Sequence, residues 1–275
     1  MLRFAKAEDV PKLTALYDQC FPNEHEFAID FFKNIFPHEK CIAFYNGEII
    51  GMAHLIDVSI ECGESLRGLY IFAVGVDERH RLHGIGSEML KFAEKHARGE
   101  SCDFLCLIVE NERLFDYYEK FGFKKSLFCS KARFSATTVK KTHDKKIVKA
   151  DAREYLKLSQ KFISPPKIYR SENTLKEQFS VYGIEPVFLS EGEKITAGAV
   201  FEKLENRLTV YEVLGNRDSA LYLLNLSAER LGCTEICLRA PLGMFENSAI
   251  GCLKPLSDRA SRLGSTAVYA NLLFN

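Results

Sequence analysis

The residues best suited to chemistry gather in one short stretch, Arg79-His80-Arg81-Leu82-His83-Gly84-Ile85-Gly86. Two arginines and two histidines crowd a single turn. Two glycines leave its backbone bare, so that a phosphate oxygen can approach the peptide N–H groups. The flanking residues set the geometry. Leu69 to Val76 is an apolar run of strand length, with Gly75 suggesting a bulge or a close backbone approach. Asp77 to Arg79 is a short polar turn. From Ile85 the apolar period becomes helical: Ile85, Met89, Phe92 and His96 form one stripe, widened by Leu90, Ala93 and Ala97, and Gly99 stands where a C-cap glycine belongs. A strand that runs into a glycine turn opening a helix offers unpaired N–H groups and partial positive charge, the physical basis of an anion site. The same glycines also satisfy a plainer need, a tight strand–helix connection chosen for its dihedral angles.

A second constellation follows. Cys102 to Val109 has strand character, and Asn111-Glu-Arg-Leu114-Phe-Asp-Tyr-Tyr118-Glu-Lys-Phe-Gly122-Phe123 is a helix ended by Gly122. Taken alone, Tyr118 is an amphipathic helix's core tyrosine or a proton donor. Together the two stretches resemble the GNAT acetyltransferase family. Arg81-x-x-Gly84-x-Gly86, extended to Val74-x-Val76-x-x-x-His80-Arg81-x-x-Gly84-Ile85-Gly86, is similar to the loop that binds the coenzyme's diphosphate, with Leu82 and His83 where the family usually has Gly and a Lys or Arg. The helix is similar to the family's Asn-x-x-Ala-x-x-x-Tyr-x-x-x-Gly-Phe, with Leu114 replacing the small residue.

The resemblance implies an acyl-CoA N-acyltransferase fold built on a mixed α/β sheet, with acetyl-CoA as co-substrate and no metal. It puts the coenzyme on Val74, Gly75 and Val76, then on Arg81, Leu82, His83, Gly84, Ile85, Gly86 and Ser87, with Asn111 helping to hold it. In the family the central strand splays from its parallel neighbour and the pantetheine lies in the gap, where one N–H polarises the thioester carbonyl. Tyr118 takes the general-acid position. Tyr117, about 100° away on the helix, is expected to pack. The base is poorly marked, because residues 69 to 76 hold no carboxylate where many family members carry a Glu. His54 is the candidate carried forward; Asp57, Glu24, His25 and Glu26 are others, and a water chain could serve instead.

Bulk properties narrow the function classes. The 275 residues carry 37 Lys+Arg and 37 Asp+Glu, so electrostatics give no case for nucleic acid or an anionic membrane. Nine cysteines include no C-x-x-C pair, and Cys102/Cys106 and Cys233/Cys237 lie in strand-like runs without His partners. Free thiols in a reducing cytosol are expected rather than disulfides or zinc. The N-terminus MLRFAKAEDV is too polar for a signal peptide and no apolar run reaches about 20 residues, so a cytoplasmic protein is expected. The acceptor implied is an amine of a small molecule or a peptide. A module that binds coenzyme A or acyl-CoA for regulation or scaffolding is the competing function.

The chain then repeats itself. Before the repeat, a hairpin of Cys41–Tyr45 and Glu48–Asp57 is expected on a type I′ turn at Asn46-Gly47. A charged joint, Lys140 to Lys146, leads to Lys145–Leu156, which echoes Leu2–Leu13; Gly192-Glu193 echoes Gly47-Glu48, and Cys233-x-x-x-Cys237-Leu238 echoes Cys102-x-x-x-Cys106-Leu107. Two tandem domains are expected: 1–139 catalytic, and 145–275 degenerate. The second has Leu214-Gly215-Asn216-Arg217-Asp218 in place of the phosphate loop, and Phe245–Leu253 lacks the Asn…Tyr…Gly-Phe pattern. An unrelated α+β domain is the plainer alternative for that half.

Overall fold

Turns at Gly47 and Gly63 cut the stretch from Lys40 to Val76 into three successive strands, and the polar segment after Val76 leads into a helix. A computed structural model describes residues 1–140 and 142–271; position 141 in the charged joint, and 272–275 at the end of the second half, lie outside the described residues. In chain order the first half holds β1 (Leu2–Phe4), α1 (Val10–Cys20), α2 (His25–Asn34), β2 (Lys40–Asn46), β3 (Glu48–Glu61), β4 (Ser65–Val76), α3 (Ile85–Gly99), β5 (Phe104–Ile108), α4 (Glu112–Glu119) and β6 (Lys124–Ser135). The second half follows the same order with one short strand inserted between its first two helices: β7 (Lys145–Lys149), α5 (Ala152–Phe162), the inserted β8 (Lys167–Tyr169), α6 (Glu172–Val181), β9 (Val187–Glu191), β10 (Lys194–Leu204), β11 (Arg207–Gly215), α7 (Arg217–Leu231) and β12 (Glu235–Ala240). It continues directly into β13 (Glu246–Pro255), and β14 (Val268–Tyr269) comes last. Two local expectations are corrected. Asn46 pairs with Glu48 and only Gly47 has positive φ, so the hairpin closes on one left-handed residue, not a type I′ pair. Gly99 stays inside α3, and Ser101 at φ +55° takes the left-handed position.

Two compact units form, one from residues 1–126 and 251–267, the other from 127–250 and the segment beginning at 268. In unit 1, β1, β2, β3 and β4 are successive antiparallel neighbours, and β4 is parallel to β5. Gly251 to Pro255 of β13 then run antiparallel to β5. In unit 2, β7, β9, β10 and β11 follow the same antiparallel order and β11 is parallel to β12. There β6 runs antiparallel to β12, with Glu235 opposite Ser135 and Ala240 opposite Ser130. Each unit is therefore closed by a strand from the other half of the sequence, and the boundary expected between 139 and 145 falls inside unit 2. The physical reason is visible in β5: Phe104 to Leu107 are buried throughout, so β5 cannot stand as a bare edge.

Helix α3, which opens at the glycine turn, is fixed by its packing. Gly51 of β3 lets it come close, since a Cβ there would stand 3.0 Å from Ile85 Cγ2 and 3.2 Å from Met89 Sδ. Farther along, Phe4 meets Phe92 and His96 edge to face at 5.3 and 4.9 Å. In unit 2 the hub is a buried charge. Glu212 of β11 accepts from Arg170 Nη1 at 2.9 and 3.1 Å, from Tyr155 Oη at 2.9 Å and from Tyr269 Oη at 2.5 Å. A carboxylate this deep persists because it is both paired and hydrogen-bonded.

Candidate functional site

Strand β4 builds the site by leaving its neighbour. It pairs with β5 only from Gly68 to Tyr70, and beyond Tyr70 that edge has no strand partner among the described residues. On the opposite edge a bulge sets Ala73 and Val74 against one residue of β3, with Ala73 at φ +50°. Gly75 lies just past the bulge and serves a close approach instead: its Cβ would stand 3.0 Å from Cys20 Sγ and 3.1 Å from Met52 Cε. Val74 and Val76 on either side are half-buried.

At the end of β4, Asp77 organises the loop. Its carboxylate accepts from Arg79 N (2.9 Å), Nε (3.1 Å) and Nη2 (3.0 Å), and contacts His80 Nδ1 at 3.0 Å. The Arg79 guanidinium holds the Asp77 carboxyl well below the usual carboxylate range. Of the two arginines and two histidines that crowd this turn, Arg79 and His80 are thus engaged by Asp77. Arg81 is different: its Nε donates to the Val76 carbonyl at 3.1 Å, and the side chain is otherwise exposed. His83 is exposed too.

Next, Leu82 (φ +67°) and Gly84 (φ +81°) both enter the left-handed region, and Leu82 is fully exposed. A leucine held there is strained, a condition that concentrates at binding and catalytic sites. Among the described residues, no oxygen accepts from the backbone N–H groups of residues 82 to 87; the first helical bond at the α3 terminus is Glu88 N to Gly84 O at 3.0 Å. A Cβ on Gly84 would find nothing within 4 Å. Bare N–H groups around open space, with Arg81 beside them, fit the diphosphate of a coenzyme.

Helix α4 supplies the remaining groups. Asn111, its N-cap residue, is extended and makes no capping bond, so its amide is available at the surface. Tyr118 is buried, and its hydroxyl has no hydrogen-bond partner among the described residues. Burial pushes the phenol above its ordinary range. In the same surroundings burial drives the thiol of Cys252 up to about 12. The Tyr117 ring packs against Tyr118 and Phe121, as expected, but its hydroxyl reaches α3. Its hydroxyl stands 3.4 Å from Ser87 Oγ and 3.1 Å from where a Gly86 Cβ would be.

His54 is corrected from base to core residue. It is wholly buried, with ring centroids of Phe31 at 4.8 Å and Phe32 at 5.5 Å, and burial holds its imidazole down to about 3. Such a group is neutral and shut off from solvent. Asp57 pairs with Arg67 at 3.2 Å, in register with Leu69 and far from the Val76 end of β4. Glu24 accepts from Tyr17 Oη at 2.9 Å, and His25 sits 2.8 Å from Asp18.

A strand that parts from its parallel neighbour and ends in a loop of bare N–H groups defines an acyl-CoA N-acyltransferase fold. Residues 10–123 match the model of the acetyltransferase (GNAT) family. No curated protein sequence matches the chain. Among solved structures it is similar to a conserved Enterococcus faecalis V583 protein named as a probable N-acyltransferase, with a TM-score of 0.75 and 11% identity over 93% of this chain and 72% of that one. It is also similar to a GCN5-related N-acetyltransferase from Kribbella flavida, with a TM-score of 0.70 and 12% identity over 93% and 71%. A tandem GNAT protein from the clavulanic acid biosynthesis pathway aligns with a TM-score of 0.62 and 10% identity over 94% and 99%. These likenesses establish the tandem fold. Among the described residues, no helix is long and apolar enough to cross a membrane.

Proposed function

We propose that the chain is an N-acetyltransferase that moves an acetyl group from acetyl-CoA directly to a primary amine of a small molecule or peptide. The observation that carries this reading is the run of unpaired N–H groups at residues 82 to 87, set at the end of a strand that has parted from its neighbour. Acetyl-CoA supplies the acetyl thioester. Arg81 and the N–H groups of Leu82 to Ser87 take its diphosphate, and Asn111 helps to hold it. Main-chain groups of Val74 to Val76 pair with the pantetheine amides and present an N–H to the thioester oxygen.

Tyr118 gives its proton to the departing thiolate. Burial raises the phenol, so its proton passes to a thiolate that leaves in the same water-poor surroundings, where a thiol is disfavoured as an anion too. With His54 in the core, the ammonium proton leaves through water. The second half, with Asn216 and Arg217 where the loop would be, is structural and binds no coenzyme. The free thiols suit a reducing cytosol.

The test uses the full chain. Acetyl-CoA is titrated in a calorimeter, and thiol release is followed against a panel of amines. Tyr118→Phe should lower turnover about 10- to 1000-fold while leaving the coenzyme Kd within about twofold. Binding without turnover on any amine would favour the non-catalytic binding module, and an absence of binding would refute both readings.

A further inference from the structure

We infer that Tyr117 is a coenzyme-binding residue whose phenol hydroxyl, beside Ser87, donates to the diphosphate held at the start of α3. This inference rests on the coenzyme reading of the loop. Three observations converge on one hydroxyl. It lies above the first turn of α3, 3.1 Å from the Cβ that residue 86 would carry if it were not glycine. Glycine at 86 therefore leaves room both for a phosphate to approach and for this phenol. The hydroxyl is 3.4 Å from Ser87 Oγ, beyond the usual O–H···O range, so neither group is firmly used by the other. Finally, the N–H groups of residues 82 to 87 beside it have no acceptor, so an anion seated there places oxygens next to a half-buried donor.

The rest of the ring is anchored. Its centroid lies 5.2 Å from those of both Tyr118 and Phe121, so the hydroxyl is presented on a rigid stem. The adjacent tyrosines then divide the coenzyme between them: Tyr117 addresses the diphosphate and Tyr118 the sulfur. The loop is less basic than its flanking sequence suggests, because Arg79 and His80 are engaged by Asp77. A neutral donor from α4 partly offsets that loss.

The experiment compares wild-type, Tyr117→Phe and Ser87→Ala proteins by calorimetric titration with acetyl-CoA and by thermal melting without it. Removing a hydrogen bond to a charged group should weaken binding of the Tyr117→Phe protein about 10- to 100-fold. The ligand-free melting temperature should stay within about 1 °C, since both aromatic contacts remain. Ser87→Ala should show a smaller loss of the same kind. A Kd within twofold of wild type for Tyr117→Phe would overturn the assignment while leaving the coenzyme reading intact. So would a loss of affinity matched by a fall in melting temperature, because that is the signature of packing. If wild-type protein fails to bind acetyl-CoA, the inference falls together with the reading it rests on.

Discussion

Gly84→Ala separates the two uses of a glycine in the loop, freedom of φ and room for a ligand. Gly84 sits at φ +81° and ψ 1°, where an L-residue costs about 1–2 kcal/mol. No heavy atom lies within 4 Å of the added methyl, so no clash adds to that figure. At about 2–4 °C per kcal/mol, the melting temperature should fall by about 2–8 °C. Gly192, in the β9–β10 turn at φ +61° with equally open space, provides the matched control, and Gly192→Ala should lose a similar amount. The variants should differ with coenzyme present. At position 84 the methyl enters the space before the bare N–H groups, and losing two charge-assisted hydrogen bonds at about 1.5 kcal/mol each weakens binding more than 100-fold. Acetyl-CoA at 100 times its wild-type Kd should stabilise the Gly192→Ala protein by about 2.7 kcal/mol and the Gly84→Ala protein by less than about 0.5 kcal/mol. Equal coenzyme-induced shifts for the two variants would refute the placement of the diphosphate.

His54 predicts a pH signature. Its folded pKa of about 3 lies below the ordinary 6.5, so between these values the unfolded chain binds a proton that the folded chain refuses. Stability should therefore fall with pH below about 6.5, by up to about 1.4 kcal/mol per unit, and His54→Leu should remove that slope in denaturant titrations at pH 7, 6 and 5. An unchanged slope would contradict the buried placement. In unit 2, Arg170→Met leaves the Glu212 carboxylate without its cation and should destabilise by about 3–5 kcal/mol. Arg170→Met combined with Glu212→Gln should be less destabilising than the sum of the two single changes, and strict additivity in chemical unfolding would deny the pair.

The loop was legible because its message is local. Arg81, Gly84 and Gly86 follow a strand and open a helix, and each of those relations spans only a few residues. Faces were harder to read. In the run Gly51 to Ile56 every residue of β3 is buried, so no alternation shows that His54 points into the core. The wheel of α4 separates Tyr117 from Tyr118 by about 100°, yet does not say which face meets α3. Nothing local marks Ala73 as the bulge residue. Long-range relations left the least trace: Tyr155, Arg170 and Tyr269 reach Glu212 from 57, 42 and 57 positions away. The closing strands are similar. The order of elements repeats plainly between the halves, but β6 and β13 carry no feature that names the sheet each joins.

That exchange of closing strands has a consequence on the ribosome. When β5 emerges, the strand that will cover its edge is still untranslated, and roughly 140 residues separate Ile108 from Gly251. At about 5–20 residues per second, the apolar edge of the first sheet waits on the order of 7–30 s for its partner. An exposed strand edge is a template for pairing with other chains. A premature stop between Ile108 and Gly251 therefore leaves a fragment whose β5 edge has nothing to cover it.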